Sequence, residues 1–206
     1  MSPRLIAIAA ASLLTGAIAG FALFPNAGQR LFGGGSGDYG GKAVGQALVG
    51  GSFSLIDQNG RRVTDKDFLG RPMLIFFGFT FCPDICPSGL QVISSVLDQL
   101  GTKGERIVPI FVTIDPERDT PDQLKSYLAS FHPRLVGLSG TSVEIADVAK
   151  KYRVYFKKVK DEKSTADYTM DHTTIIYLMD EKGQFVAHFS HATSADKLAE
   201  GLRKQL

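Results

Sequence analysis

The sequence predicts an α/β domain in which helices flank a central mixed sheet. Residues 73–79 and 107–114 are continuous apolar runs, which are typical of strands buried on both faces of a sheet. Helix start signals follow each of these runs. Near the end of the chain, 173–179 and 184–189 are strand-like segments joined by a polar turn at 180–183, which predicts a hairpin insertion.

The other elements complete an alternation of strands and helices. An alternating segment at 53–56 predicts a strand, and the Asn-Gly pair at 59–60 predicts a tight turn. Pro87 is expected to be the first residue of a helix that reaches about residue 100. The remaining predictions are helices over 120–130 and 142–152, a short strand over 154–159 and a final helix over 195–205. This order is that of a thioredoxin-like fold.

Four segments organise the chain. After a short tail at 1–4, residues 5–24 carry no charge, and at about 1.5 Å per residue they span the thickness of a bilayer core. We therefore expect one N-terminal transmembrane helix, with the tail in the cytoplasm. Residues 25–49 are predicted to be a glycine-rich flexible tether, and residues 50–206 the folded domain.

A cleaved signal peptide is the competing interpretation of the apolar segment, because Ala17-Ile18-Ala19 resembles a signal-peptidase site. The apolar run continues past that site to Phe24, which favours an uncleaved anchor. The sequence has no arginine-rich amphipathic presequence. We therefore expect a single-pass protein of a bacterial inner membrane, with its C-terminal domain in the periplasm.

The charge pattern argues against a nucleic-acid partner. The net charge is only +2, with acids and bases mixed along the chain. Neither a basic stripe nor a set of stacking aromatics is evident in the sequence.

The chain has two cysteines, Cys82 and Cys86, and each is followed by a proline. Because a residue before proline is disfavoured in the α region, we expect both to be non-helical, in a stiff turn before Pro87. Cys86 would then lie at a helix N-terminus, where the helix dipole lowers a thiol pKa. A disulfide across so short a loop would stabilise little, which favours a functional pair. Metal binding and reversible disulfide formation both remain open.

His172 precedes the late strand-like segment and could join the cysteines if that strand is antiparallel to the one ending at Phe79. Two thiolates and one imidazole suit Cu(I), and with an added oxygen ligand they suit Cu(II). A structural zinc site would need a fourth ligand. Asp84 is expected to be either an oxygen donor or a helix cap. Asp171 is expected to be a solvated turn residue, with a role in orienting the site as the alternative. Met170 would share the face of His172 in an extended chain, but a packed or exposed side chain is expected.

Three other histidines and one charged loop are weaker candidates. His132 precedes a proline at a helix end and is expected at the surface. His188 and His191 are expected to be a strand residue and a loop residue, or else a second, weak copper contact. Residues 115–120 either face a partner or form an ordinary turn before a capped helix.

Three motifs together resemble the Sco/SenC family. They are Gly-Phe-Thr-Phe-Cys-Pro-Asp-Ile-Cys-Pro at 78–87, Thr-Ile-Asp-Pro-Glu-Arg-Asp-Thr-Pro at 113–121, and Asp-His-Thr at 171–173. The resemblance covers the domain after about residue 50. It implies a membrane-tethered, thioredoxin-like copper protein that assists the assembly of cytochrome c oxidase.

The same resemblance implies that Cys82, Cys86 and His172 bind copper. Family members often carry histidine before the first cysteine, where this chain has Phe81. That position is not a family ligand, so the difference alters local polarity and leaves the implied site complete.

The leading hypothesis is a copper metallochaperone that passes copper from an upstream donor to the dinuclear copper site of a cytochrome c oxidase subunit. A thiol–disulfide oxidoreductase that reduces the recipient's cysteines is the alternative. A thiol peroxidase, with Cys82 attacking peroxide and Cys86 resolving the product, is a third. His172 discriminates among them, because metal binding requires it and dithiol exchange does not.

Overall fold

Strands and helices alternate along the domain in the computed structural model, which describes residues 49–160 and 167–206. The strands are β1 (Ser54–Asp57), β2 (Arg62–Thr64), β3 (Met73–Gly78), β4 (Val108–Thr113), β5 (Val136–Ser139), β6 (Phe156–Val159), β7 (Thr169–His172), β8 (Ile175–Met179) and β9 (Phe185–Ser190). The helices are α1 (Ile85–Leu100), α2 (Thr102–Arg106), α3 (Pro121–Leu128), α4 (Ser142–Lys151) and α5 (Ala195–Gln205), with a 3-10 helix at Asp65–Phe68.

A seven-stranded mixed sheet forms the centre, in the order β2-β1-β5-β4-β3-β8-β9. Strands β3, β4 and β5 are parallel, whereas β1, β8 and β9 pair antiparallel at the two sides. Helices flank this sheet, so the predicted thioredoxin-like fold is confirmed. Strands β6 and β7 pair with each other in a separate two-stranded sheet.

The central strand β3 is buried along its whole length, as the apolar run predicts. Phe76 packs beneath α1 at Gly89, where an added Cβ would lie only 2.9 Å from the ring. The next residue, Phe77, faces the other way, with its ring centre 5.4 Å from that of Tyr152 after α4. Burial of each phenylalanine side chain stabilises the fold by about 1.5–3 kcal/mol, so β3 is held from both faces.

Two local predictions need correction. Helix α1 begins at Ile85 rather than at Pro87, so Cys86 is helical and only Cys82 lies outside the helix. A proline is tolerated there because N–H groups in the first turn have no partner within the helix. The predicted strand over 173–179 begins later, at Ile175, and His172 is instead the last residue of the short strand β7.

The N-terminal predictions lie outside the described residues. These are the tail, the anchor at 5–24 and the tether as far as residue 48. Within the described residues, every helix is too short or too polar to cross a membrane.

Candidate metal centre

The cysteine loop (residues 79–84) carries Cys82 and leaves the sheet at the carboxyl end of β3, where ligand sites form in sheets of this kind. It leads into α1, whose second residue is Cys86. Strand β8 is antiparallel to β3, with Phe76 opposite Ile176, so the residues before β8 reach the same end. His172 therefore lies beside the cysteine pair, as the sequence predicts. Its Nε2 lies 3.9 Å from Sγ of Cys86.

Cys82 is the more accessible thiol, and its sulfur lies against the N-terminus of α1. The backbone N–H of Cys86 donates to Sγ of Cys82 at 3.3 Å. A hydrogen bond from the Cys86 thiol, together with backbone N–H groups of the first helical turn, lowers the pKa of Cys82 to about 6. Most Cys82 is therefore thiolate at neutral pH.

The pKa of Cys86 is shifted in the opposite direction to that of Cys82. Its thiol is fully buried, and its pKa is raised because it donates its hydrogen bond to Cys82 and is removed from water. The expectation that the helix N-terminus lowers the Cys86 pKa is wrong, because the free N–H groups of α1 point back to Cys82. Both cysteines are free thiols.

Gly78, the last residue of β3, gives the buried thiol its space. An added Cβ would lie 2.7 Å from Sγ of Cys86 and 2.8 Å from the Phe111 ring. Sequence reasoning missed this residue, since its role depends on which side chains pack against it.

The imidazole of His172 is oriented by a backbone hydrogen bond and by a ring contact. Nδ1 lies 2.9 Å from the Thr173 carbonyl, which assigns the proton to Nδ1 and leaves the Nε2 lone pair facing Cys86. The ring of Phe79 stands edge-on to the imidazole at 5.8 Å. Burial lowers the pKa of His172, which favours the neutral imidazole that binds metals.

A cleft of about 260 Å³ separates the cysteine loop from β7. Within the part of the chain that is described, no three His, Cys, Asp or Glu side chains are close enough together to hold a metal ion as they stand. Cys82 and the Cys86–His172 pair must therefore draw together to share one ion. The side chains that border the cleft include Cys82, Pro83, Asp84, Met170, Asp171 and His172.

The charged loop at 115–120 buries two of its acidic side chains, Asp115 and Asp119, whereas Glu117 is exposed. Asp119 is fully buried and accepts hydrogen bonds from the Thr80 N–H at 3.0 Å, the Thr80 hydroxyl at 2.6 Å and the Thr113 hydroxyl at 2.6 Å. Burial raises the pKa of Asp119. The loop is thus a brace that holds the backbone two residues before Cys82. Sequence reasoning missed this role because a charged loop is ordinarily exposed.

The three neighbours of the predicted copper ligands differ in burial and position. Met170 is buried, whereas Asp171 is exposed and opposite Lys157 of β6. Asp84 is the N-cap residue of α1, and its side chain makes no capping hydrogen bond.

The three other histidines lie at three different places in the fold. His132 lies 3.7 Å from Asp98 of α1, and His188 is exposed in β9 opposite Tyr177. The backbone N–H of His191 donates to Thr174, near His172, and its own Nδ1 is buried without a hydrogen-bond partner among the described residues.

Comparisons with known proteins show which family this chain belongs to. The family model described as SCO1/SenC matches residues 41–206. The mitochondrial SCO1 homolog 1 of Arabidopsis thaliana is 42% identical over 167 residues, which cover 81% of this chain and 49% of that protein. This chain therefore spans about half the length of that relative.

Solved structures extend the similarity to the fold. The structure of Arabidopsis thaliana ScoI with copper bound has 42% identity and a TM-score of 0.73, and the match covers 76% of this chain and 97% of that chain. Bradyrhizobium japonicum ScoI with copper bound has 52% identity and a TM-score of 0.69, with coverage of 77% and 99%. By sequence, fold and motif order, this chain belongs to the SCO1/SenC family.

Proposed function

We propose that this chain binds copper through Cys82, Cys86 and His172 and delivers it to the dinuclear copper site of cytochrome c oxidase. The observation that carries the proposal is the 3.9 Å approach of the His172 Nε2 to the Cys86 sulfur, between residues 86 positions apart. Copper in two similar ScoI structures, at 42% and 52% identity, supports the choice of metal.

The chemistry of the three side chains fits copper. Cys82 is already ionised at neutral pH, and His172 presents a neutral nitrogen. Cys86 must lose its proton when the metal enters, so copper binding releases a proton and strengthens as the pH rises. Two thiolates and an imidazole form a soft donor set that suits Cu(I).

The accessibility of Cys82 supports delivery of copper by ligand exchange. Cys82 borders an open cleft, whereas Cys86 is buried behind it. A thiolate of the recipient can therefore approach copper from the Cys82 side and exchange with that ligand first. We place this exchange in the periplasm, on a domain held by the anchor at 5–24, between an upstream copper donor and the oxidase subunit.

A thiol–disulfide oxidoreductase that reduces the recipient's cysteines is the second candidate. The observation that favours it is the contrast between the two thiols, one with a pKa of about 6 and the other with a raised pKa. An ionised, accessible thiol beside a buried protonated one is the arrangement of an attacking and a resolving cysteine.

The full-length reduced protein in detergent tests both candidates by copper stoichiometry and by competition for Cu(I) with a chromophoric chelator. We expect one copper per chain, its loss in Cys82→Ser and Cys86→Ser, and much weaker binding in His172→Ala. His188→Ala is the matched control, because that exposed histidine lies in β9, outside the cleft, and should leave the affinity unchanged.

Copper retained equally by His172→Ala would overturn the three-ligand site. A wild-type protein that retains no copper but reduces a disulfide-bonded oxidase peptide would favour the oxidoreductase.

A further inference from the structure

Arg118 contacts both of the segments that carry the proposed copper ligands. Its guanidinium carbon lies 4.7 Å from the ring centre of Phe81, which directly precedes Cys82. The same carbon lies 3.8 Å from the ring centre of Tyr168, and Nη1 donates to the Tyr168 carbonyl at 2.9 Å. Tyr168 directly precedes β7, which ends at His172.

The guanidinium is fixed in this position. Arg118 Nε donates to the buried carboxylate of Asp115, and the Tyr168 hydroxyl donates to the same carboxylate at 2.8 Å. Only 18% of the Arg118 side chain is exposed. Arg118, Asp115 and Tyr168 thus each contact the other two, and Nη2 of Arg118 is buried without a hydrogen-bond partner among the described residues.

The ring of Phe79 lies between Arg118 and the imidazole of His172. The guanidinium carbon of Arg118 lies 5.9 Å from the centre of the Phe79 ring, and that ring stands edge-on to His172. One planar cation therefore touches aromatic rings next to the thiolate and next to the histidine. Lysine cannot replace it here, because an ammonium lacks the planar face and the directed N–H groups of a guanidinium.

We propose that Arg118 is a positioning residue, which holds β7 and His172 against the cysteine loop and thereby sets the copper affinity of the site. This inference rests on the proposed function of Cys82, Cys86 and His172. A purely structural Arg118 would stabilise the fold without any dependence on His172, and this difference makes the two roles separable.

The test is a double-mutant cycle on the full-length protein, with Cu(I) affinity measured by chelator competition. Arg118→Lys should bind copper about 10-fold more weakly, as expected when a residue that orients a metal ligand is changed. In the His172→Ala background, Arg118→Lys should cause no further loss, because the ligand that it positions is already gone. Equal losses in both backgrounds would overturn the proposal.

Two control variants separate positioning from general stability. Arg134→Lys removes donors from the carbonyls of Gly104, Glu105 and Ile107, away from the cleft, and should lower Tm with unchanged copper affinity. Lys158 also lies over the Tyr168 ring, at 4.6 Å, but is exposed. Lys158→Gln should therefore leave the affinity unchanged, and a loss like that of Arg118→Lys would contradict the proposal.

Hydrogen exchange of the metal-free protein provides a readout that does not depend on copper. Amides of β7 should exchange several-fold faster in Arg118→Lys, while those of β3 remain protected. If Arg118→Lys does not fold, Tyr168→Phe is the substitute, because it removes only the hydrogen bond from the Tyr168 hydroxyl to Asp115. It should also speed the exchange of the β7 amides and weaken copper binding. Unchanged β7 exchange in a folded variant would overturn the inference. Failure of the wild type to bind copper would instead overturn the proposed function.

Discussion

Replacing Gly78 with alanine tests how tightly the buried thiol is packed. The new Cβ would stand 2.7 Å from Sγ of Cys86 and 2.8 Å from the Phe111 ring, whereas favourable carbon contacts lie at about 3.5–4.0 Å. Both neighbours are fully buried, so neither can move into solvent.

The expected cost follows from these two clashes. Overpacking of a core costs about 1–3 kcal/mol, and two simultaneous clashes put Gly78→Ala near the upper end, at about 3 kcal/mol. For a domain of this size, that loss corresponds to a decrease in Tm of roughly 6–12 °C. Because Cys86 must shift away from Gly78, the copper affinity should also fall.

Gly89→Ala is the matched control for Gly78→Ala. Its Cβ would lie 2.9 Å from the Phe76 ring and does not approach the thiol. Alanine in a helix also gains about 0.5–1 kcal/mol over glycine, which offsets part of the crowding. Thermal unfolding of the metal-free proteins should show a smaller loss of stability for Gly89→Ala than for Gly78→Ala. Chelator competition should show that Gly89→Ala binds copper with the wild-type affinity. A Gly78→Ala variant that melts and binds copper like the wild type would show that the Cys86 thiol is not tightly packed.

Four further outcomes are expected. A thiol-alkylating reagent should modify Cys82 at a rate that rises through about pH 6 and leave Cys86 unmodified, and equal labelling in mass spectrometry would contradict this assignment. The depressed pKa of Cys82 also means that, between about pH 6 and pH 9, the folded chain holds Cys82 as a thiolate while the unfolded chain keeps its proton. The free energy of unfolding of the metal-free protein should therefore rise with pH in this range, and denaturant titrations of Cys82→Ser should not show this rise. Asp119→Asn replaces one of the two accepting oxygens with an amide N–H₂, so at least one of the three donors loses its acceptor. The free energy of unfolding should therefore fall by about 1–3 kcal/mol, and an unchanged value would show that Asp119 is not a brace. Free copper at 100 times its Kd should stabilise the wild type by about 2.7 kcal/mol, seen as a raised Tm, whereas the double variant Cys82→Ser/Cys86→Ser should show no rise.

The parts of the fold that were predictable share one property: their signals are local in the sequence. The apolar runs of β3 and β4 identify buried strands, because only strands covered on both faces are apolar at every position. The Asn-Gly turn at 59–60 joins β1 and β2 as expected, with Gly60 at a φ of +79°. The meeting of His172 with Cys86 required one further condition, an antiparallel β8, and the sheet meets it.

The features that were not predictable depend on contacts between distant residues. The start of α1 at Ile85 overrides the backbone preference of a residue before proline, and this shift gives the low pKa to Cys82 rather than to Cys86. The inward orientation of Asp119 is set by two threonines on other segments. Polar residues in a loop carry no local signal that separates a buried brace from an exposed turn.

X-ray absorption at the copper edge of the full-length, Cu(I)-loaded protein tests the three-ligand site most directly. The proposed site predicts a first shell of two sulfurs and one imidazole nitrogen, with the nitrogen contribution lost in His172→Ala and retained in His188→Ala. A shell of sulfur alone in the wild type, or an identical spectrum in His172→Ala, would contradict it.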